Sequence, residues 1–318
     1  MTVPATIGKY EILEQIGAGG FGAVYKARDP IIKRLVAVKL CTAEDEQLRK
    51  RFFREAEISG NLHDPNIVTV FDSGVEAGAP YLIQEYLDGE DLDRVIRRGD
   101  DMPRHERLEC LMQVAKGLRY AHRKGVLHRD VKPGNVRLLE GGRAKLMDFG
   151  IATLKSSHTR LTQIGTLVGT VGYLAPEQLR GAKADERVDV FSFGVLAYEL
   201  LSYERPFKGE DWEEVCRNII ETEPEPLGSL ISGYPVELIQ LVERCLRKDP
   251  DERCASFDEV LPALNPVLVA LRPERRKHPD EPVKRRRGSR LAWWLSAALG
   301  ALLLALVLLR FACAGGAA

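Results

Sequence analysis

His128-Arg129-Asp130-Val131-Lys132-Pro133-Gly134-Asn135, followed by Asp148-Phe149-Gly150, is the stretch that decides how this 318-residue chain is read. Moving a phosphoryl group from ATP asks for little covalent chemistry. It asks for an acceptor hydroxyl held in line, metal ions bridging the phosphates, and positive charge where the transition state spreads its negative charge. Asp130 suits the hydroxyl proton, Lys132 the transferring phosphate, and Asn135 and Asp148 offer oxygen ligands for magnesium, or manganese in its place. An isolated His-Arg-Asp would mean little; the ordered set of residue types carries the argument.

Upstream, Gly17, Gly19 and Gly22 form Gly-x-Gly-x-x-Gly within Ile16–Val24. Dinucleotide folds use the same spacing, but there a helix opens directly after the third glycine. Here Ala23–Ala27 and Leu35–Leu40 are short, rich in β-branched residues, and separated by Arg28-Asp29-Pro30, so both read as strands. The glycines therefore cap a hairpin, and the dinucleotide reading is set aside. The second strand ends in Val36-Ala37-Val38-Lys39, and a polar, helix-prone stretch follows from Glu44 to Gly60.

Together these motifs resemble the eukaryotic-type (Hanks-type) serine/threonine protein kinases. The resemblance implies that Ile16, Gly17, Gly19, Gly22, Val24 and Ala37 cover ATP and that Lys39 holds its α- and β-phosphates. It implies that Glu55, in Phe53-Arg54-Glu55-Ala56, pairs with Lys39; Glu57, two residues on, points to another helical face. His63 reads as a structural turn residue. Tyr81–Gly89 suits a hinge whose backbone from Glu85 to Leu87 would bind adenine, with polar Gln84 at the gatekeeper position. Lys132, two residues after Asp130, matches the serine/threonine branch.

After Asp148-Phe149-Gly150 lie Ser156, Ser157, Thr159, Thr162, Thr166 and Thr170, ending at Ala175-Pro176-Glu177. This resembles an activation segment, with Thr162 and Thr166 the candidate autophosphorylation sites. Arg129 would receive the phosphate through charge-assisted hydrogen bonds. By resemblance Thr170 bonds back to Asp130 and Lys132, Asp189 holds the catalytic-loop backbone, and Arg253 pairs with Glu177. Phe191 stands where the family more often carries Trp.

The formal charge of zero hides an asymmetry: from Arg272 onward ten Lys/Arg face three Asp/Glu, so that tail carries +7 and the rest −7. A near-neutral whole with a basic tail argues against a nucleic-acid-binding body. Six scattered cysteines without a Cys-x-x-Cys pair indicate neither a metal site nor a disulfide framework. Met1–Lys9 is short and not strongly apolar, so no signal sequence is expected. Residues 291–309 run 19 positions without a formal charge; as a helix they would reach about 28 Å, close to the roughly 30 Å of a bilayer's hydrocarbon core. Lys284–Arg287, Arg290 and Trp293-Trp294 flank the entry as basic and aromatic anchors. Ala297, Ala298, Gly300 and Ala301 offer a small-residue patch for packing span against span as a homodimer.

The expectation is an α+β, two-lobed kinase fold followed by a single transmembrane helix. Its parts are an N-terminal extension (1–9), a kinase domain (10–265; N-lobe 10–84, hinge 85–88, C-lobe 89–265), a basic juxtamembrane linker lying along membrane lipids (266–290), the span (291–309) and a short non-cytoplasmic tail (310–318). The kinase would face the cytoplasm of a bacterial cell, use ATP and magnesium, and phosphorylate serine or threonine in protein substrates. The competing class is a membrane-tethered pseudokinase or scaffold. Loss of Lys39, Asp130 or Asp148 would favour it, and all three are present.

Overall fold

The computed structural model describes residues 4–19, 22–43, 45–99, 102–149 and 171–271. Its first part is an antiparallel sheet of β1 (Thr6–Ile7), β2 (Tyr10–Gly19), β3 (Gly22–Arg28), β4 (Leu35–Cys41), β5 (Val70–Glu76) and β6 (Ala79–Glu85), in the order β1-β2-β3-β4-β6-β5. The pleat sorts its side chains. Tyr25 and Ala27 on β3 join Val36 and Val38 on β4 in one apolar cluster with Ile7, Tyr10 and Ile83. Successive residues of a strand face opposite sides, so Ala37 and Lys39 turn the other way, toward helix α1 (Glu46–Gly60) and the cleft beneath the sheet.

Helix α1 starts one residue after Asp45, whose carboxylate accepts from the Gln47 backbone N–H at 2.8 Å, the ordinary N-cap device. Phe52, Glu55 and Ser59 form its buried stripe, at the spacing that returns to one helical face. Phe52 meets Cys41 and Leu82, which presses the stripe against β4 and β6 and carries Glu55 to Lys39. Glu57 lies exposed, as its two-residue offset requires.

The second part is mainly helical. It contains α2 (Leu92–Arg98), α3 (Arg104–Arg123), α4 (Pro176–Leu179), α5 (Arg187–Ser202), α6 (Trp212–Glu221), α7 (Leu227–Leu230), α8 (Val236–Cys245) and α9 (Phe257–Leu271). Every residue of α5 from Val188 to Leu201 is buried, so this helix is the axis of the lobe. Gly194 permits that, because a Cβ there would lie 2.8 Å from the Cβ of Cys245 on α8. A small sheet, β7 (Gly89–Asp91), β8 (Val136–Leu139) and β9 (Arg143–Leu146), lies at the cleft side of this lobe.

Two expected boundaries move. The sheet reaches back into the stretch read as an N-terminal extension: Thr6 and Ile7 pair with Glu11 and Tyr10, and Ile7 is buried in the sheet's apolar cluster. The linker expected from residue 266 is still helix to Leu271, despite Pro262 and Pro266 inside α9. Each proline removes one helical hydrogen bond, but Leu264, Val267 and Leu268 are buried in the core, and that burial outweighs the loss. The rest of the expected basic linker (272–290), the span at 291–309 with its small-residue patch, and the tail 310–318 all lie outside the described residues. Among the described residues no helix is long and apolar enough to cross a membrane.

Candidate active site

A cleft of about 620 Å³ opens between the sheet and the helical lobe. Ile16, Gly17, Gly22, Val24 and Ala37 line it from the sheet; Gln84, Glu85 and Leu87 come from β6 and the segment after it. Lys39, Glu55, Asp130, Lys132, Asn135 and Asp148 complete it. Sequence positions more than a hundred residues apart thus meet in one cavity of the size that holds a small-molecule ligand. Gly19 pairs with Gly22 across the hairpin end, and Gly20 and Phe21 between them lie outside the described residues. Gly22 has φ +146°, and a Cβ there would sit 2.1 Å from the Leu40 carbonyl oxygen, so the hairpin end requires glycine.

The Lys39 ammonium stands 2.7 Å from Glu55 Oε1 and 2.9 Å from Asp148 Oδ1. Burial opposes its charge, but the Asp148 and Glu55 carboxylates prevail and raise its pKa above the ordinary lysine value. Burial likewise opposes the Asp148 charge, and Lys39 overcomes it and holds that carboxyl below the usual range. Each charge is therefore kept by the other. An ammonium fixed between two carboxylates of different lobes is aimed, and has no freedom to search for its ligand.

Across the cleft, the Asn135 amide donates to the Asp130 carbonyl at 2.8 Å and to Asp130 Oδ2 at 2.9 Å. Lys132 Nζ lies 2.8 Å from the same Oδ2. With its NH₂ spent on Asp130, Asn135 presents its carbonyl oxygen outward; the amide orientation follows from this network. Asn135 Oδ1 and the Asp148 carboxylate form a hard-oxygen donor pair that fits Mg²⁺. Among the described residues no cluster of three or more His, Cys, Asp or Glu could hold a metal ion. A metal here would need nucleotide phosphates as further ligands.

The backbone beneath these groups is strained and tied down. Arg129 (φ 62°) and Asp148 (φ 50°) are non-glycine residues in the left-handed region, each costing about 1–3 kcal/mol. Asp189, at the start of α5, opposes that strain by accepting the backbone N–H of His128 at 2.8 Å and of Arg129 at 2.7 Å. Burial disfavours its charge, but hydrogen bonding from His122 keeps the Asp189 pKa low. His122 Nε2 lies 2.7 Å from Asp189 Oδ2; its part was not read from the sequence. A histidine on a long helix gives no local sign of a partner 67 residues away. His128 is buried, its Nδ1 accepting the Asp130 N–H at 3.3 Å and its Nε2 lying 3.1 Å from the Met147 carbonyl. Phe149 packs on that ring at a centroid distance of 4.6 Å.

Arg253, 2% exposed, donates to both Glu177 oxygens at 2.7 and 2.8 Å, the bridge that the resemblance implied. Phe191 stacks on Phe207 at 5.9 Å and lies under the Arg253 guanidinium at 4.9 Å. Arg129 is half-buried as a residue. Its Nε, however, is buried without a hydrogen-bond partner among the described residues. Thr162, Thr166 and Thr170 lie outside the described residues. The cleft also includes Asp91, Arg137 and Met147, which the sequence reading passed over. Their signal was positional: Met147 adjoins Asp148, and Arg137 stands two residues beyond Asn135 along a strand.

A two-lobed fold with these groups facing one cleft defines a protein kinase domain. The chain belongs to that family: the protein kinase domain model matches residues 10–263. It is 38% identical over 261 residues to a probable serine/threonine-protein kinase of Streptomyces coelicolor, a match covering 80% of this chain and 39% of that protein. It is 36% identical over 269 residues to the serine/threonine-protein kinase PknB of Mycobacterium tuberculosis, covering 82% of this chain and 43% of PknB. A probable serine/threonine-protein kinase of Clostridium acetobutylicum is 33% identical, over 81% of this chain and 40% of its own length. The chain thus spans about two fifths of the length of these relatives. All three are bacterial, as the sequence reading expected of this chain.

Proposed function

We propose that this chain is a membrane-anchored serine/threonine protein kinase that transfers the γ-phosphate of ATP to protein hydroxyls and phosphorylates its own activation segment. The observation that carries the transfer is the Lys39 ammonium held 2.7 Å from Glu55 and 2.9 Å from Asp148, across the cleft from the Asp130–Lys132–Asn135 cluster. Lys39 would hold the α- and β-phosphates, and backbone groups of Glu85 to Leu87 the adenine edge. Asn135 and Asp148 would hold a magnesium ion, which would supply positive charge against the negative charge of the phosphates. Lys132 and Asn135 both engage Oδ2 of Asp130, which leaves Oδ1 to receive the acceptor's proton. The acceptor oxygen then bonds to the γ-phosphorus as the β–γ bridging P–O bond breaks, and ADP departs with the bond's electron pair.

Arg129 supports regulation by phosphate, because its buried Nε lacks a partner among the described residues. Phosphate on Thr162 or Thr166 would supply one, while Thr170 would bond back to Asp130 and Lys132. Membrane anchoring rests on the uncharged run 291–309 and its basic and aromatic flank. That run also carries the proposed helix–helix contact of a homodimer, and the basic linker before it the contact with anionic lipid.

The test is phosphosite mass spectrometry of the full chain incubated with ATP and magnesium, beside Asp130→Asn. Phosphate on Thr162 or Thr166 in the parent alone is expected. ATP binding without any phosphate on the chain or on a generic serine/threonine acceptor would overturn transfer in favour of a scaffold. Sedimentation of the full chain with membranes, and of a chain ending at residue 271 without them, tests the anchor.

A further inference from the structure

The turn between β3 and β4 holds two isoleucines out into solvent on a rigid support. Ile31 is 75% exposed and Ile32 59%, although each side chain would gain by leaving water. Asp29 beneath them is buried. Its Oδ1 accepts the backbone N–H of Ile31 at 2.9 Å and of Ile32 at 3.2 Å. Its carbonyl oxygen accepts the Lys33 N–H, and its own N–H donates to the Arg34 carbonyl, both at 2.9 Å. Lys9 Nζ lies 2.9 Å from the remaining carboxylate oxygen. With every backbone group of the turn committed to Asp29, the two side chains cannot fold back to cover themselves.

Cations frame this tip. Arg28 precedes it, Lys33 and Arg34 follow it, and all three are exposed. The Arg34 guanidinium lies over the Phe71 ring at 3.6 Å, which fixes its position at the rim. Of the acids nearby, Asp29 is met by Lys9, which Asp72 also attracts, and Glu11 stands opposite Arg28 in the strand pairing. Lys33 and Arg34 form no salt bridge among the described residues. Apolar side chains ringed by such cations match the boundary of an anionic bilayer, with acyl chains below and phosphate headgroups above. A second copy of the chain fits less well. A two-fold interface sets a patch against itself, which would bring Lys33 and Arg34 against their like. A tip two residues wide also offers far less than the roughly 800 Å² per partner of a stable dimer.

We infer that the β3–β4 turn is a membrane-docking tip, with Ile31 and Ile32 entering the headgroup–acyl boundary of an anionic bilayer while Lys33 and Arg34 meet lipid phosphates. The inference rests on the anchored reading given above. A span starting twenty residues beyond Leu271 keeps the domain at high effective concentration beside the bilayer, so a weak second contact suffices. The consequence is orientation. Strand β3 begins at Gly22, in the hairpin end that lines the nucleotide cleft, and ends at Arg28 beside the tip. The length of that strand, about 20 Å, separates the two. Docking by the tip keeps the glycine hairpin off the lipid and open to nucleotide and protein substrates.

The experiment is hydroxyl-radical footprinting, read by mass spectrometry, of the full chain inserted singly into nanodiscs. One set of discs is phosphatidylcholine alone and the other phosphatidylcholine with phosphatidylglycerol. Labelling of Ile31 and Ile32 is expected to fall about three-fold or more in the anionic discs relative to the chain in detergent. Val75 and Val236, 56% and 57% exposed and away from the turn, are expected to keep theirs. Lys33→Glu is expected to recover most of the isoleucine labelling. Ile31→Ser/Ile32→Ser in detergent is expected to phosphorylate a soluble serine/threonine peptide at the parental rate, since the tip is no part of the cleft. Undiminished isoleucine labelling in the anionic discs, equal protection in pure phosphatidylcholine, or full protection in Lys33→Glu would each overturn the inference. Protection that appears only when two chains share a disc would assign the tip to a second copy and overturn it as well. A chain that does not enter the discs overturns the anchored reading, and the inference with it.

Discussion

Replacing Arg253 by methionine tests how the end of the activation segment is held to the helical lobe. All five guanidinium N–H groups are used: two on Glu177 at 2.7 and 2.8 Å, and one each on the carbonyls of Arg247 at 2.7 Å, Arg187 at 3.1 Å and Lys248 at 3.0 Å. Methionine fills much of the volume and makes none of these bonds. The larger loss comes from Glu177, itself buried, whose carboxylate would remain charged without its partner, a cost of about 3–5 kcal/mol. Against a total stability of roughly 5–15 kcal/mol for a domain, that is a drop in Tm on the order of 10 °C for one this large. Thermal and urea unfolding of the full chain would measure it. The double variant Arg253→Met/Glu177→Leu removes both charges and should recover at least half the loss, since a buried pair as a whole stabilises little. A fall of less than about 2 °C in the single variant would refute the reasoning, as would a double variant no more stable than the single.

Glu55→Gln leaves the Lys39 ammonium with Asp148 as its remaining carboxylate partner at 2.9 Å, so the lysine is drawn toward a residue proposed to bind magnesium. A ten- to hundred-fold loss in kcat/KM, about 1.4–2.8 kcal/mol of transition-state stabilisation, is expected in steady-state kinetics, and an unchanged value would count against the aiming role. The third prediction concerns acid. Burial lowers the His128 pKa despite the carboxylates of Asp189, Asp130 and Asp148 nearby, and the Asp189 pKa is also lowered. Both groups bind fewer protons folded than unfolded, so their stabilisation is full above the unfolded pKa and is lost as pH falls. For His128 the loss begins below about pH 6.5, and for Asp189 below about pH 4. Tm measured from pH 7.5 downward should fall from about pH 6.5, and a Tm that rises toward pH 5 would contradict it.

The residues with chemistry to perform were legible because their job restricts them locally. Asp130, Lys132 and Asn135 occupy one loop at spacings set by a single reacting centre, and Gly22 is forced by a backbone that a Cβ would strike. The short, β-branched run Leu35–Leu40 was enough to read a strand, and a strand's period of two sets Lys39 on the face opposite Val38. Glu55 was readable against Glu57 because three or four residues, and not two, return to the same side of a helix. Phe52, the residue that presses that face onto β4, could be understood only once Cys41 and Leu82 were seen around it.

Chain boundaries and long-range partners were decided by tertiary packing. The helix Phe257–Leu271 runs past the expected domain end at 265 despite Pro262 and Pro266, because burial of Leu264, Val267 and Leu268 outweighs the hydrogen bonds the prolines remove. Thr6 and Ile7 look like an extension until they pair with Glu11 and Tyr10. His122 and Arg137 carried no motif: one acts through a carboxylate on another helix, the other faces the cleft because of strand pairing with Asp91. The sequence by itself determined the family and the reacting groups, since short-range spacing encodes both. Which further side chains reach that site depends on contacts between segments far apart in the chain, and those exist only after folding has paid their entropy.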